Sequence, residues 1–424
     1  MTVLEIYPRV FLENKRQTVF LRIEGEGDAE IKIQPMEIYA IKHGTPQKLH
    51  EEERYAYSPL TSLGDGLYSF EYDFQAEQRY TLRVKSAGAV IHSGYLYAIG
   101  DRLAALRPYK GEMHCHSNRS DGACEPFELM TAYLGAGFDF ATLTDHHKYA
   151  PSVEVREQMA RATDIFTVIK GEEVHNKGYG YYHAVNFGGD SSVNHIIEND
   201  EDYVTREVER IKAEHTFPDG VCPQTAAYRI FISEHIRRAG GVSILSHPYW
   251  DAYGEYNTER PELIHLLRTG AFDALEIFAG NDVTGNGDNL EIAVWTDLLR
   301  EGITTSLVGV SDTHSLTSPT TRFNKNFTIV FASCEDDLCD AVREGRCVAV
   351  KRRDDVDFLV LGNYPLVAYA RFLLAEMYPT YATLTSRVAE EIGANGGEHT
   401  DAVRALEADA LAYRRRFFAD GINV

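Results

Sequence analysis

Basic residues, paired cysteines and long apolar runs are all scarce in this chain, and each shortage closes a class of function. Its 42 Lys and Arg face 64 Asp and Glu, a formal charge of -22, so the surface field repels phosphate backbones and anionic lipid. A stable nucleic-acid partner is therefore not expected. The six cysteines, at 115, 124, 222, 334, 339 and 347, are scattered and form no Cys-x-x-Cys pair. That excludes a zinc ribbon and leaves reduced thiols as the expectation. No apolar run approaches the roughly 18 residues that span a bilayer. Met1 to Pro8 has neither the basic start nor the apolar core of a secretory leader. A cytoplasmic protein without a membrane partner is the expectation. There is no Gly-x-Ser-x-Gly elbow, so nothing marks a serine nucleophile.

What is present is the composition of a folded protein, 44% hydrophobic and 25% charged, over 424 residues, enough for two or three domains. Residues 1–105 hold short β-type segments punctuated by Gly, Pro and Asp, including Thr18–Ile23, Glu30–Ile33, Leu67–Tyr72, Tyr80–Val84 and Ala89–His92. Such spacing predicts an antiparallel β-sandwich-like domain. Over 106–350 compact apolar runs, 138–143, 166–169, 241–245, 272–277 and 304–310, alternate with helical patterns at 126–136, 225–239, 261–267 and 290–300. This rhythm predicts an α/β fold, a (β/α) barrel or a related layered arrangement. Beyond the charged run Lys351-Arg352-Arg353-Asp354-Asp355, residues 351–424 read as a small helical C-terminal region. The polar stretch Asn194–Pro223 reads as an insertion, either a lid or a solvated surface helix.

The chemistry gathers at the ends of the predicted strands, where barrels keep their functional side chains. In Gly111-Glu112-Met113-His114-Cys115-His116, strand alternation turns both imidazoles to one face and Met113 and Cys115 to the other, which gives Cys115 a packing role. Asp121, five residues on and followed by Gly122, can curl back to add an oxygen donor. Thr144-Asp145-His146-His147, Gly171-Glu172-Glu173, His183 in a strand-like run, Ser246-His247-Pro248 and Ser311-Asp312-Thr313-His314 close further strands. Mixed imidazole and carboxylate donors suit Zn, Fe or Mn rather than Ca or Mg.

Together these segments resemble the PHP (polymerase and histidinol phosphatase) family of metal-dependent hydrolases. His-x-His with a following Ser-Asp-Gly, Thr-Asp-His, Gly-x-Glu, Ser-His-Pro and Ser-Asp-x-His occur in family order over about residues 108–350. The resemblance implies a distorted (β/α)7 barrel holding two or three divalent metal ions. By matching motifs, one metal takes His114, His116, Glu173 and Asp312. A second shares Glu173 and adds His183 and His247, and a third takes Asp121, His146 and His314. Glu172 is the rival of Glu173, and His175 the rival of His183. Asp145 either orients a ligand or caps the turn that follows it.

Clustered divalent ions lower the pKa of a shared water toward about 7 and offset anionic charge, which suits hydrolysis with a bridging hydroxide as nucleophile. The leading expectation is a phosphoesterase acting on a small phosphorylated molecule or nucleotide. A carbamate or carboxyl-ester hydrolase on the same site is the alternative, and a non-catalytic metal-binding relic the third reading. Arg119, His147, Lys148 and Arg322 neighbour the ligand motifs and are candidates to touch substrate, Arg322 foremost. His147 is also the candidate general acid, its other role being a hydrogen bond to a neighbouring loop. No oligomeric state is implied.

Overall fold

A computed structural model describes residues 1–25, 27–37, 56–175, 182–252, 254–279, 286–318, 320–354 and 357–424. Asp355, quoted above, lies outside the described residues. The chain divides into one unit of Met1–Arg107, Arg371–Tyr381 and Asp409–Val424, and another of Pro108–Ala370 and Ala382–Ala408.

The first unit carries two sheets. One pairs Thr2–Tyr7, Lys15–Glu24, Leu67–Phe74 and Thr61–Gly64 in that order, all antiparallel. The other orders Val10–Leu12, Ala89–Ile99, Gln78–Ser86, Ala29–Pro35 and Ser58–Pro59, antiparallel except where Val10–Leu12 runs parallel to Tyr97–Ile99. Alternation buries Val19, Leu21 and Ile23 on one sheet and Ile31, Ile33, Leu82 and Val84 on the other. Rings link the two: Phe11 stacks on Phe74 at 4.2 Å, and Phe74 meets Tyr80 edge-on at 5.1 Å. The C-terminal helix Asp401–Phe417 brings a buried Arg414 into this unit, 5.4 Å from the Tyr381 ring.

The second unit is mixed α/β, its strands forming a half-barrel of two sheets. One sheet orders Thr167–Ile169, Phe140–Thr142, Arg107–Glu112, Asn326–Ala332, Cys347–Arg352 and Phe358–Leu361. The other orders Gly171–His175, His183–Phe187, Val242–Leu245, Ala274–Phe278 and Ser306–Gly309. Only Lys170 separates Thr167–Ile169 from Gly171–His175, and beyond the strands Cys115 bridges Thr313 and His146 bridges Glu173, so the sheets are joined at three places. Met113, Phe140, Val185, Ile244, Ala274, Val308 and Val330 from both sheets share one core. The helices Pro126–Gly135, Ala150–Ala162, Pro223–Arg238, Arg260–Arg268 and Asn286–Arg300 alternate with strands much as the apolar rhythm predicts.

Three features depart from the sequence reading. Gly171–His175 and His183–Phe187 pair antiparallel, and His183–Phe187 also runs against Val242–Leu245, so this part is not strand–helix–strand. Reversal places the first residue of that strand, His183, at the end where its neighbours finish. The insertion is helical, as one of its two readings had it, but not fully solvated: in Glu201–Glu214 the i, i+4, i+7 residues Val204, Val208 and Ile211 are buried, and Arg210 pairs with Glu234 of Pro223–Arg238. It is a packed amphipathic helix and not a lid. The helices Tyr364–Glu376, Tyr378–Ala394 and Asp401–Phe417 exist as expected but are shared between the two units.

Gly171 stands where the strand passes between sheets, and a Cβ there would lie 2.4 Å from Thr142 Cγ2 and 2.7 Å from the Asn186 carbonyl oxygen. Gly171→Ala is expected to destabilise the protein by roughly 1–3 kcal/mol through overpacking, read from its denaturant midpoint. An unchanged midpoint would show that this joint yields freely.

Candidate metal centre

The first sheet's central strand ends at Glu112, so His114 and His116 lie just past it rather than on it. Extended geometry nonetheless persists, because Cys115 bridges Thr313 and the His116 N–H donates to the Thr313 carbonyl at 2.9 Å. Both imidazoles consequently point to one side. Cys115 faces the other, buried, its Sγ 3.3 Å from the Thr142 carbonyl, and burial raises its pKa well above the ordinary thiol value. The chain then turns tightly to Asp121. Gly122 permits this turn, since a Cβ there would stand 2.2 Å from the His116 carbonyl oxygen.

Glu173, wholly buried, is the hub. Its Oε2 lies 2.8 Å from His146 Nδ1 and 3.3 Å from Nε2 of both His114 and His116. Its Oε1 lies 2.9 Å from His183 Nδ1 and 3.3 Å from His247 Nε2. Asp312 Oδ1 faces His116 Nε2 at 3.0 Å and His114 Nε2 at 3.4 Å. Asp121 Oδ2 stands 3.5 Å from His146 Nε2 and 3.4 Å from His314 Nε2. All nine residues expected to hold metal are thus brought to one place.

Strand alternation separates Glu172 from Glu173 but not His175 from His183. Glu172 points away, accepting from Ser192 Oγ, Val193 N–H and Asn194 Nδ2, while Glu173 faces the histidines. His175 is also in the cluster, its Nε2 2.6 Å from His146 Nδ1 and its ring 3.9 Å from that of His183. Asp145 touches no ligand imidazole in the described contacts. It accepts from Ser117 N–H, Ser117 Oγ and Ser120 Oγ, and so pins the loop that carries Asp121.

Two carboxylates escaped sequence reading. Glu276 Oε1 accepts from His114 Nδ1 at 2.7 Å, and its Oε2 accepts the His247 N–H at 2.8 Å. Glu112 accepts from the N–H groups of Met113, His114 and Ser311. Burial lifts its pKa to about 7 despite the Ser311 hydrogen bond. An acid inside an apolar strand, as in Leu275-Glu276-Ile277, is the signal that could have found Glu276, since such a charge is rarely buried without a partner. Those backbone bonds also hold strain, because His247 and Asp312 have φ of 24° and 46°.

Of the candidates to touch substrate, His147 sits beside the cluster, with φ 59°, its ring 4.4 Å from His175 and Nδ1 3.4 Å from Glu198, while Arg119 and Lys148 are exposed. Arg322 lies on the loop before Asn326–Ala332, its carbonyl accepting from Lys325 N–H at 2.8 Å.

The donor set fits a cation. His114 Nε2, both His116 nitrogens, Glu173 Oε2, His183 Nε2, His247 Nδ1 and Asp312 Oδ1 are buried yet have no hydrogen-bond partner. Polar atoms left so in a protein interior are costly unless something binds them. Groups of three or four of these side chains have donor atoms within 4.8 Å of one another, including His116–Asp121–His146–His314, His114–His247–Asp312 and Glu173–His183–His247.

Burial acts against charge on every member, and the neighbours decide the outcome. For His146 the Glu173 charge and the Asp121 contact outweigh burial and raise it to about 10; for His314, Asp121 and Asp312 raise it to about 9. His114 rises too, through Glu276, Glu173 and Asp312, whereas burial prevails at His116 and lowers it. Burial and the adjacent His183 push His175 down to about 2. Glu173, Asp121 and Asp312 fall well below the usual carboxylate range, the surrounding imidazoles overcoming burial.

No family model and no curated protein matches the chain. Among solved structures it is similar to a two-domain protein from Bacteroides vulgatus containing a predicted PHP-like metal-dependent phosphoesterase. Identity is 18% and the TM-score 0.44, over 63% of this chain and 70% of that one. It is also similar to a candidate metal-dependent phosphoesterase from Bifidobacterium adolescentis, at 17% identity and a TM-score of 0.35 over 49% and 89% of the two chains. For an amidohydrolase from Chromobacterium violaceum with bound sulfate and no metal, the values are 18% and 0.34 over 50% and 93%.

Two outcomes are expected. At pH 7 the metal-free His114, His146 and His314 hold protons, their pKa values being raised by the neighbouring carboxylates, and ligation needs their lone pairs. Zinc addition in weak buffer should therefore release up to about three protons per chain, read with a pH indicator. Uptake without release would contradict the role of these residues. Glu276→Gln should weaken metal affinity by roughly 10–100-fold, since the carboxylate orients His114 and the His247 backbone. Competition against a fluorescent chelator measures it, and wild-type affinity would refute that role.

Proposed function

We propose that the chain is a PHP-type metal-dependent hydrolase with a distorted (β/α)7 barrel, and that its reaction is phosphoester hydrolysis on a small phosphorylated molecule or nucleotide. The observation that carries this reading is the convergence of buried, unpaired imidazole and carboxylate atoms around Glu173. Two or three divalent ions, Zn, Fe or Mn, would be held by His114, His116, Glu173 and Asp312, by Glu173, His183 and His247, and by Asp121, His146 and His314. When bound, such ions lower the pKa of a water toward about 7 and offset charge developing on phosphoryl oxygens.

The chain's own residues supply position and protons. Glu276 and Glu112 fix the backbone and ring orientation of His114 and the approach of His247 and Ser311. His147, half-exposed beside the cluster with its Nδ1 3.4 Å from Glu198, is assigned the role of protonating the leaving oxygen. Arg322 is assigned to hold the phosphoryl group through its guanidinium fork. The cytoplasm is the assigned compartment, and among the described residues no helix is long and apolar enough to cross a membrane.

Phosphate release from aryl phosphates should disappear with chelator and return with Mn, Zn or Fe. Replacing His114 and His116 together with Ala should lower it at least about a thousandfold, the scale expected when a metal nucleophile site is lost. Release that survives the double replacement would overturn the assignment. A strong preference for aryl acetates over aryl phosphates would instead point to carboxyl-ester chemistry, and fewer than one metal per chain after supplementation would point to a relic.

A further inference from the structure

Against the metal centre lies a cavity of about 490 Å³ whose lining includes Arg119, His147, Lys148, Glu154, His195 and Glu198. Its place follows from the chain. Arg119 stands in the loop between His116 and Asp121, and His147 and Lys148 follow His146 directly. His147 forms a shared wall, its ring packed near His175 of the cluster.

Charge in the cavity is unevenly compensated. Glu198 is engaged by His147 at 3.4 Å, and Glu154 is exposed. Arg119 and Lys148 make no ion pair among the described residues; the Lys148 ammonium meets only the neutral carbonyl of Arg119. In a chain of net charge -22, Arg119 and Lys148 put two exposed cations side by side on the wall of this cavity, where an entering anion would meet both. A planar guanidinium fork beside an ammonium matches the oxygens of a carboxylate or phosphate.

We propose that this cavity takes a second, non-reacting anionic group of the substrate. It rests on the phosphoester reading above, and it narrows that reading to phosphate monoesters whose alcohol portion carries a carboxylate or a further phosphate. The alcohol portion is the one concerned because His147, assigned to the leaving oxygen, lines this cavity.

Non-hydrolysable probes test it on the metal-loaded full chain. Calorimetry compares phenylphosphonate with 4-carboxyphenylphosphonate, 1,4-phenylenebisphosphonate and 4-(aminomethyl)phenylphosphonate. The two probes with a second anion should bind about tenfold tighter than the parent, the gain one added charge-assisted contact gives, and the cationic probe more weakly. Whichever anionic probe gains more identifies carboxylate or phosphate as the preferred group. The gain should shrink with added salt and fall at least about threefold in Arg119→Gln and in Lys148→Gln, exposed positions whose replacement leaves the core intact. Equal affinity for the parent and both anionic probes overturns this inference and leaves the phosphoester reading standing. Binding of none of them overturns both. A gain that survives the Arg119→Gln/Lys148→Gln double variant removes the cavity from recognition.

Discussion

The second unit is organised around one buried negative charge. A carboxylate taken out of water is expensive unless matched, and Glu173 is matched by five imidazoles drawn from four separated parts of the chain. Those imidazoles crowd one another, with ring centroids as close as 4.3 Å for His116 and His146. Protonating all of them would replace one electrostatic problem with another. Cations shared among the lone pairs resolve both sides at once, which is why hub and ring make physical sense only together.

Around that hub the protein spends rigidity. Glu112 ties the start of the His-x-His segment to Ser311, and Glu276 ties His114 to the His247 backbone, so ligands of distant sequence share braces. His247 and Asp312 adopt left-handed backbone conformations that non-glycine residues seldom hold, at a cost of order 1–3 kcal/mol each. Local preference did not choose these conformations. The braces hold them, and they aim each side chain inward from a strand end.

Much of this was legible before any coordinates. Strand alternation placed His114 and His116 together and Cys115 apart, even though the strand itself stops at Glu112, because extended geometry continues through a single bridge to Thr313. The same rule separates Glu172 from Glu173. What resisted sequence reading was non-local. The antiparallel turn of His183–Phe187 depends on pairing with Val242–Leu245, far along the chain, and an apolar run looks alike in either direction. Asp145 as a loop pin, and Glu276 and Glu112 as braces, are roles defined by partners, which spacing alone does not name. A helix was one reading of the insertion, but the burial of one face of Glu201–Glu214 was hidden by its charged residues, although Val204, Val208 and Ile211 carried the stripe.

The joints between the two sheets have a further meaning in polymer terms. The candidate donors His114 and Asp312 lie within one group and bracket most of the second unit, so a cation bound between them would act as a reversible cross-link across a very long loop. Loop-closure entropy grows only slowly with length, but a cross-link of this span excludes a large share of unfolded conformations, and binding to the folded form adds stability in proportion to the logarithm of ligand concentration. The centre is then a clasp as well as a site. Cellular metal supply would set how long the chain survives proteolysis, apart from anything it does to a substrate.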